Sequence, residues 1–246
     1  MDVKSGQTEK YSFKDLVTIV IPFEDNNEDT LLVSLRNKVM KVDIKANTRQ
    51  VLASIAPQLE GKERFNDGKV DAKGRLWIGS VLDGSDGAVP QKGSLYKLNG
   101  NHFIKMSEDF TLSNGMSWNL NNTKMYFNDS GDQKIYIFDF DLENGLINGM
   151  TTDKSGRLWV SLYGGGRVVQ INEETGNVEN FVTIPALLTT SITFGGQHLD
   201  QMYVTTGNDG QDMTQYPNAG KIFRVTSSDA SFKAAPIETH FRPENQ

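Results

Sequence analysis

The chain contains no cysteine. That excludes disulfide staples and thiolate metal sites, and it leaves the redox compartment unread. Its three histidines, His102, His198 and His240, lie far apart, without the spacing of a zinc site. No apolar run reaches transmembrane length. The longest candidate, Leu16 to Phe23, is short and is followed by an acidic loop, which suits a buried strand. Helical periodicity is nearly absent, and Leu52 to Leu59 is interrupted by Pro57. A basic excess is also lacking: 25 Lys and Arg stand against 31 Asp and Glu, a net charge of −6, which argues against a nucleic-acid partner. The opening Met1-Asp2-Val3-Lys4-Ser5 has no signal-peptide pattern, so the expectation is a cytoplasmic protein with no membrane partner. No Gly-x-Ser-x-Gly elbow occurs, and Gly164-Gly165-Gly166 lacks the Lys-Ser/Thr of a phosphate loop. The triplets headed by Asn121 and Asn128 fit the glycosylation pattern and are treated as chance.

What the chain has instead is short strands and turns. Its 246 residues are enough for a sizeable core, and 23 glycines punctuate it. The stretch Arg64-Phe65-Asn66-Asp67-Gly68-Lys69-Val70 leads into the turn Asp71-Ala72-Lys73-Gly74 and the strand Arg75-Leu76-Trp77-Ile78-Gly79. The same hairpin returns as Asp153-Lys154-Ser155-Gly156-Arg157-Leu158-Trp159-Val160, with the aspartates 153 − 71 = 82 residues apart. One strand type recurs with its first apolar residue at Val39, Leu95, Ile135, Val168 and Ile222, at intervals of 56, 40, 33 and 54. A second type, Leu31–Ser34, Met125–Asn128 and Met202–Thr205, precedes some of these. Multi-strand units repeating every roughly 40–50 residues indicate propeller blades. The competing reading, a β-sandwich with similar hairpins, does not account for the doubled hairpin. The interval of 33 is short for a four-stranded blade, so material is expected to be missing between Phe140 and Thr151. From Ser227 the pattern stops, and residues 227–246 are expected to form an irregular tail on a single β-propeller domain spanning 1–246.

With these residues in view, the chain resembles the senescence-marker-protein-30 family of regucalcin, gluconolactonases and the luciferin-regenerating enzyme. The resemblance rests on Arg64–Asp71 with Gly74-Arg75-Leu76-Trp77, Ser113-Asn114-Gly115-Met116-Ser117-Trp118, Met125–Ser130, Gly149–Asp153 with Gly156–Val160, Gly164–Val168 and Thr190–Gly196, in family order from about Tyr11 to Thr226. It implies an all-β, six-bladed propeller, incomplete here with about five blades recognisable. It also implies one divalent cation, Ca²⁺, Mg²⁺, Mn²⁺ or Zn²⁺, and hydrolysis of a small-molecule sugar lactone. Asn114 falls on the family's metal-binding asparagine, and Arg64 and Asn66 on the residues that contact the lactone. Two departures stand out. Residues 1–63 contain no Gly-Glu-Gly-Pro motif to supply a glutamate ligand. Where the family has Pro-Asp-Gly, whose aspartate serves as metal ligand and base, this chain has Ile147-Asn148-Gly149. Either Asn148 replaces that aspartate with an amide, which cannot take a proton near neutral pH, or the aspartate is deleted along with its strand.

Three readings follow: a metal-dependent lactonase, a degenerate paralogue that binds a ligand without hydrolysis, and a calcium-binding regulatory propeller. A gap left by a missing blade would expose strand edges and favour self-association. Without the family name, Asn114 reads as an Asn-Gly turn, Arg64 as part of a structural network and Asp67 as a turn-pinning residue; Trp77 and Trp159 read as core. The loop Asp83-Gly84-Ser85-Asp86-Gly87 lacks calcium-loop spacing.

Overall fold

The computed structural model describes residues 9–25, 27–55, 62–148, 157–172, 175–196, 198, 200–226, 241 and 242. The described residues form strands and turns, with no helix long and apolar enough to cross a membrane. The chain divides into two compact units, one of Met1–Trp118, Asn122–Gly149 and Glu238–Gln246, the other of Asn119–Asn121 and Met150–Ile237.

The first unit carries three antiparallel meanders. Sheet one runs β1 (Val17–Pro22), β2 (Thr30–Leu35), β3 (Lys38–Asp43), β4 (Thr48–Ser54). Sheet two runs β5 (Glu63–Val70), β6 (Leu76–Gly84), β8 (Gly93–Asn99), β9 (His102–Phe110), with the two-residue β7 (Gly87–Ala88) paired to β6. Sheet three runs β10 (Ser113–Trp118), β11 (Lys124–Asp129), β12 (Lys134–Asp141), β13 (Leu146–Asn148). In the second unit, sheet four is β14 (Arg157–Leu162), β15 (Arg167–Asn172), β16 (Val178–Thr183), and sheet five is β17 (Thr189–Gly195), β18 (Gln201–Thr206), β19 (Ile222–Thr226).

The repeat seen in the sequence is the repeat of the sheets. Val39, Leu95, Ile135 and Ile222 lie on the third strands of their sheets, and the second strand type is β2, β11 and β18. Val168 lies on β15, the second described strand of sheet four. The duplicated hairpin makes β14 the counterpart of β6; residues 149–156, with Asp153 and Gly156 of the repeated hairpin, lie outside the described residues. Within each unit, successive sheets meet through their first described strands: β1 beside β5, β5 beside β10, and β14 beside β17.

Sheet two is covered on both faces, so β6 and β8 are buried almost without interruption. Leu76, Ile78, Tyr96 and Leu98 face a core shared with Ile19, Ile21, Leu32 and Val39 of sheet one. Trp77 and Leu95 face the opposite way, into a core with Met125, Phe127, Phe138 and Phe140 of sheet three. Sheet one differs. Its second face holds a small cluster of Val33, Met40 and Val42 with Phe13 against it, and Val20, opposite Val33, stays 56% exposed.

The turn after β5 is fastened by Asp71, which is fully buried. Its carboxylate accepts from Lys73 N–H (2.9 Å), Arg75 N–H (3.1 Å), Arg75 Nε (2.8 Å) and Trp77 Nε1 (3.0 Å). Gly74 closes the turn at φ +77°, where a side chain would be strained. Arg75 then reaches across to the β12–β13 turn, Nη2 donating to Leu142 O at 2.6 Å, and Lys97 Nζ donates to Gly145 O at 2.8 Å. So the Gly-Arg-Leu-Trp hairpin ties two sheets together, and Trp77 is both core and hydrogen-bond donor.

Part of the expected irregular tail is fixed in place. Phe241 is 4% exposed, joins the core of sheets one and two, and meets Phe23 edge-on at 5.3 Å. Phe241 and Phe23 form a parallel bridge, with Phe241 N–H donating to Pro22 O and Glu24 N–H to Phe241 O, both 2.9 Å. Arg242 N–H donates to Gly74 O (2.8 Å) and its side chain pairs with Glu24. Residues 227–240 lie outside the described residues.

Candidate functional site

Register shifts occur on the first strands β1, β5, β10 and β17, and two of them bear on the site. On β5 the register against β6 shifts between Phe65 and Gly68, and on β10 the register against β11 shifts between Ser113 and Met116. A bulge of this kind re-aims the side chains of the extra residues. The residues inside the two bulges are Asn66-Asp67 and Asn114-Gly115, so the sequence-predicted residues sit where the strands depart from regular pairing. Strand alternation does the rest. Phe65 and Val70 enter the core toward sheet one, and Gly68 comes against Ile19. Arg64 and Asn66 bond toward Asp83 and β10 instead.

The site is one hydrogen-bonded chain. Arg64 Nε donates to both carboxylate oxygens of Asp83, at 3.1 and 2.9 Å, with the two side chains 17% and 36% exposed. Arg64 Nη1 donates to Asn66 Oδ1 at 2.6 Å. Asn66 Nδ2 donates to Ser113 O at 2.7 Å and to Asn114 Oδ1 at 2.8 Å. Asn114 Nδ2 donates to Ser130 Oγ at 2.8 Å, and Asn128 Nδ2 reaches the same oxygen at 3.3 Å. The Asn66 contacts to Ser113 and Asn114 cross from β5 to β10, so sheets two and three position the site jointly.

Beside this chain lie Asp67 and Lys69. Asp67 Oδ1 accepts from Gly68 N–H at 2.7 Å, and the carboxylate approaches Gly115. Both side chains keep partial surface exposure while being closely surrounded by protein. Burial pushes the Asp67 carboxyl up, opposed by the Gly68 N–H and by Lys69. Burial pushes the Lys69 amine down, opposed by Asp67.

The structure thus brings together Arg64, Asn66 and Asn114, and adds Asp83, Asn128 and Ser130. Asn148 is not among them. Its backbone sits on β13, opposite Asp139, at the far edge of the sheet whose first strand carries Asn114. Three strand spacings, roughly 14 Å, separate those two backbones; the Asn148 side chain lies outside the described residues. Asp83 was legible only as part of an acidic loop. Ser130 stood inside the matched Met125–Ser130 stretch, but nothing in its type marked it.

A divalent cation does not fit the residues described. Calcium takes several oxygens, mostly carboxylate. Among the described residues no three or more of His, Cys, Asp and Glu converge on one point. Asn114 Oδ1 already accepts from Asn66, and Asp83 is bound to the Arg64 guanidinium.

The family described as the SMP-30/gluconolactonase/LRE-like region matches residues 1–208. The chain is similar to pig (Sus scrofa) regucalcin, 38% identical over 185 residues, which are 66% of this chain and 62% of that protein. It is similar to human regucalcin, 34% identical over 217 residues, covering 79% of this chain and 72% of that protein. The match to pig regucalcin thus spans less than two thirds of that protein's length. Among solved structures, the luciferin-regenerating enzyme aligns over 93% of this chain and 83% of its own, with TM-score 0.79 and 24% identity. A calcium-binding protein, regucalcin from Agrobacterium tumefaciens, aligns over 94% and 81%, with TM-score 0.81 and 20% identity.

Proposed function

The chain belongs to the SMP-30/gluconolactonase/LRE-like family and has its β-propeller fold, and from that premise we propose that its Arg64–Asn66–Asn114 cluster is a site for an oxygen-rich sugar lactone or the acid formed from it. The observation that carries this is the joining of Arg64, Asn66 and Asn114 in one network across two bulged strands. A guanidinium and two amides suit a ligand bearing carbonyl and hydroxyl oxygens. The family activity is divalent-metal-dependent hydrolysis of such lactones. In this chain the described residues offer binding without the second half of that chemistry, since no carboxylate cluster accompanies the amides. The proposal is therefore a regucalcin/gluconolactonase-like protein that binds its ligand and hydrolyses it little above background. Loss of a general base alone lowers rates by ~10²–10⁴-fold.

The calcium-binding reading takes its support from the Agrobacterium relative named for that property. One experiment separates the two. Proton release from gluconolactone is followed with Ca²⁺, Mg²⁺, Mn²⁺ and Zn²⁺ in turn, and each metal is titrated into the same samples by calorimetry. The expected outcome is near-background hydrolysis with weak or no metal heat. Turnover at an ordinary enzymatic rate that a chelator abolishes would refute the proposal. Tight calcium binding without hydrolysis would favour the regulatory reading.

A further inference from the structure

The direction of the hydrogen bonds running from Arg64 to Ser130 can be fixed from chemistry alone. Arg64 can only donate, so the atom of Asn66 that it meets must be the oxygen. The backbone carbonyl of Ser113 can only accept, so the atom of Asn66 that meets it must be the nitrogen. That nitrogen also meets Asn114, which therefore presents its oxygen. The Asn114 nitrogen is left to face Ser130, whose hydroxyl oxygen accepts from it and from Asn128 Nδ2. Donation thus runs one way, from Arg64 to Ser130.

The two ends of the chain are consequently donors. Arg64 has Nε on Asp83 and Nη1 on Asn66 and Phe65 O, while Nη2 meets no acceptor among the described residues. With Asn128 Nδ2 placed on the same oxygen as Asn114 Nδ2, both lone pairs of Ser130 are taken and its O–H hydrogen is free to bond, and the residue is exposed. Between the ends, Asn66 Oδ1 and Asn114 Oδ1 each keep one lone pair. A cation needs the reverse pattern, oxygens turned toward a centre with no donors among them.

We propose that Ser130 is a ligand-binding residue of this site, and that the Arg64 Nη2 edge and the Ser130 hydroxyl recognise acceptor oxygens at the two ends of a polyhydroxy carboxylate without a bridging cation. The ligand's own hydroxyls donate to the spare lone pairs of Asn66 and Asn114. This rests on the site proposed above and names the class of ligand it takes. Lactone and open acid share these acceptor oxygens, and the acid is the stable probe.

The test is calorimetric titration of the 246-residue chain with D-gluconate in the presence of a chelator. The control is the polyol amine of the same length, which carries an ammonium in place of the carboxylate. Gluconate is expected to bind and the amine is not. Ser130→Ala should weaken gluconate by about three- to tenfold, the loss of one hydrogen bond. Ser130→Thr, which keeps the hydroxyl, should restore most of that, and thermal melting of both variants checks that the fold is intact. Arg64→Ala identifies the site itself. If Arg64→Ala abolishes binding while Ser130→Ala leaves it unchanged, Ser130 has no such role and the proposal falls, though the site stands. If neither substitution changes gluconate binding, the site reading fails with it. Binding that appears only when calcium replaces the chelator, or equal binding of the amine, overturns the donor-ended recognition.

Discussion

Truncating Phe241 to alanine tests whether the C-terminal residues hold the first two sheets together. The side chain is 4% exposed and packs in a core with Ile19, Phe23 and Phe65. Deleting a buried phenylalanine ring costs about 3–5 kcal/mol when the cavity cannot collapse. Here a limit applies. Alanine keeps the N–H bonded to Pro22 and the carbonyl bonded to Glu24, so the loss is apolar contact alone. The clip can also peel away, and the cost then cannot exceed the clip's own docking energy. We therefore expect about 3 kcal/mol, the lower end of that range. With a urea slope of about 1–3 kcal/mol per molar, the midpoint for this unit should fall by ~1–3 M. Hydrogen exchange should speed up in peptides covering Val17–Pro22 and Leu76–Gly84. Arg242→Ala is the contrast. Its pair with Glu24 is exposed at both ends and contributes no more than about 1 kcal/mol. If the two substitutions shift the midpoint equally, or if Phe241→Ala leaves it in place, the ring is not part of the core and the reasoning is wrong.

Asp71→Ala should destabilise the first unit by about 3–5 kcal/mol, because it strips a buried partner from Arg75 and leaves three further N–H groups unpaired; urea unfolding monitored through Trp77 reads this, and a loss below about 1 kcal/mol would contradict the role given to Asp71. Asp67 makes a pH prediction. Burial raises its carboxyl in the folded chain, so the folded state holds that proton more tightly than the unfolded one. Stability should then decline as pH rises from the ordinary aspartate value through the raised one, and the deficit should persist above it. Asp67→Asn should flatten this decline in urea midpoints taken from about pH 4 to pH 7; an unchanged profile would mean the carboxyl is solvated. Lys69 is pushed down by the same burial, and its contribution has the opposite sign: stability recovers as pH rises through its lowered value toward the ordinary lysine one.

Strand content, the repeat and the hairpins were legible because each is written locally. Asp71, Gly74 and Trp77 set a turn and a strand within seven residues, and they do so wherever the chain later places them. What the sequence could not show was partnership between distant residues. Nothing near Arg75 or Lys97 announces the carbonyls of Leu142 and Gly145 that they capture. Phe241 looked like part of a tail because its partners lie more than two hundred residues away, at Phe23 and Pro22. The site shows the same division. Arg64, Asn66 and Asn114 were found through a resemblance, as separate motifs; that they form one directed chain depends on two bulges, which arise from register and not from residue type. Asn148 makes the converse case: it fills a family position in the linear match, yet its strand lies at the opposite edge of the sheet from Asn114. A linear match carries residue types from one chain to another, but a site is made of directions, and directions come from the pairing of strands. The chemistry of this site therefore has to be decided at Ser130 and Arg64, the two ends of the directed chain.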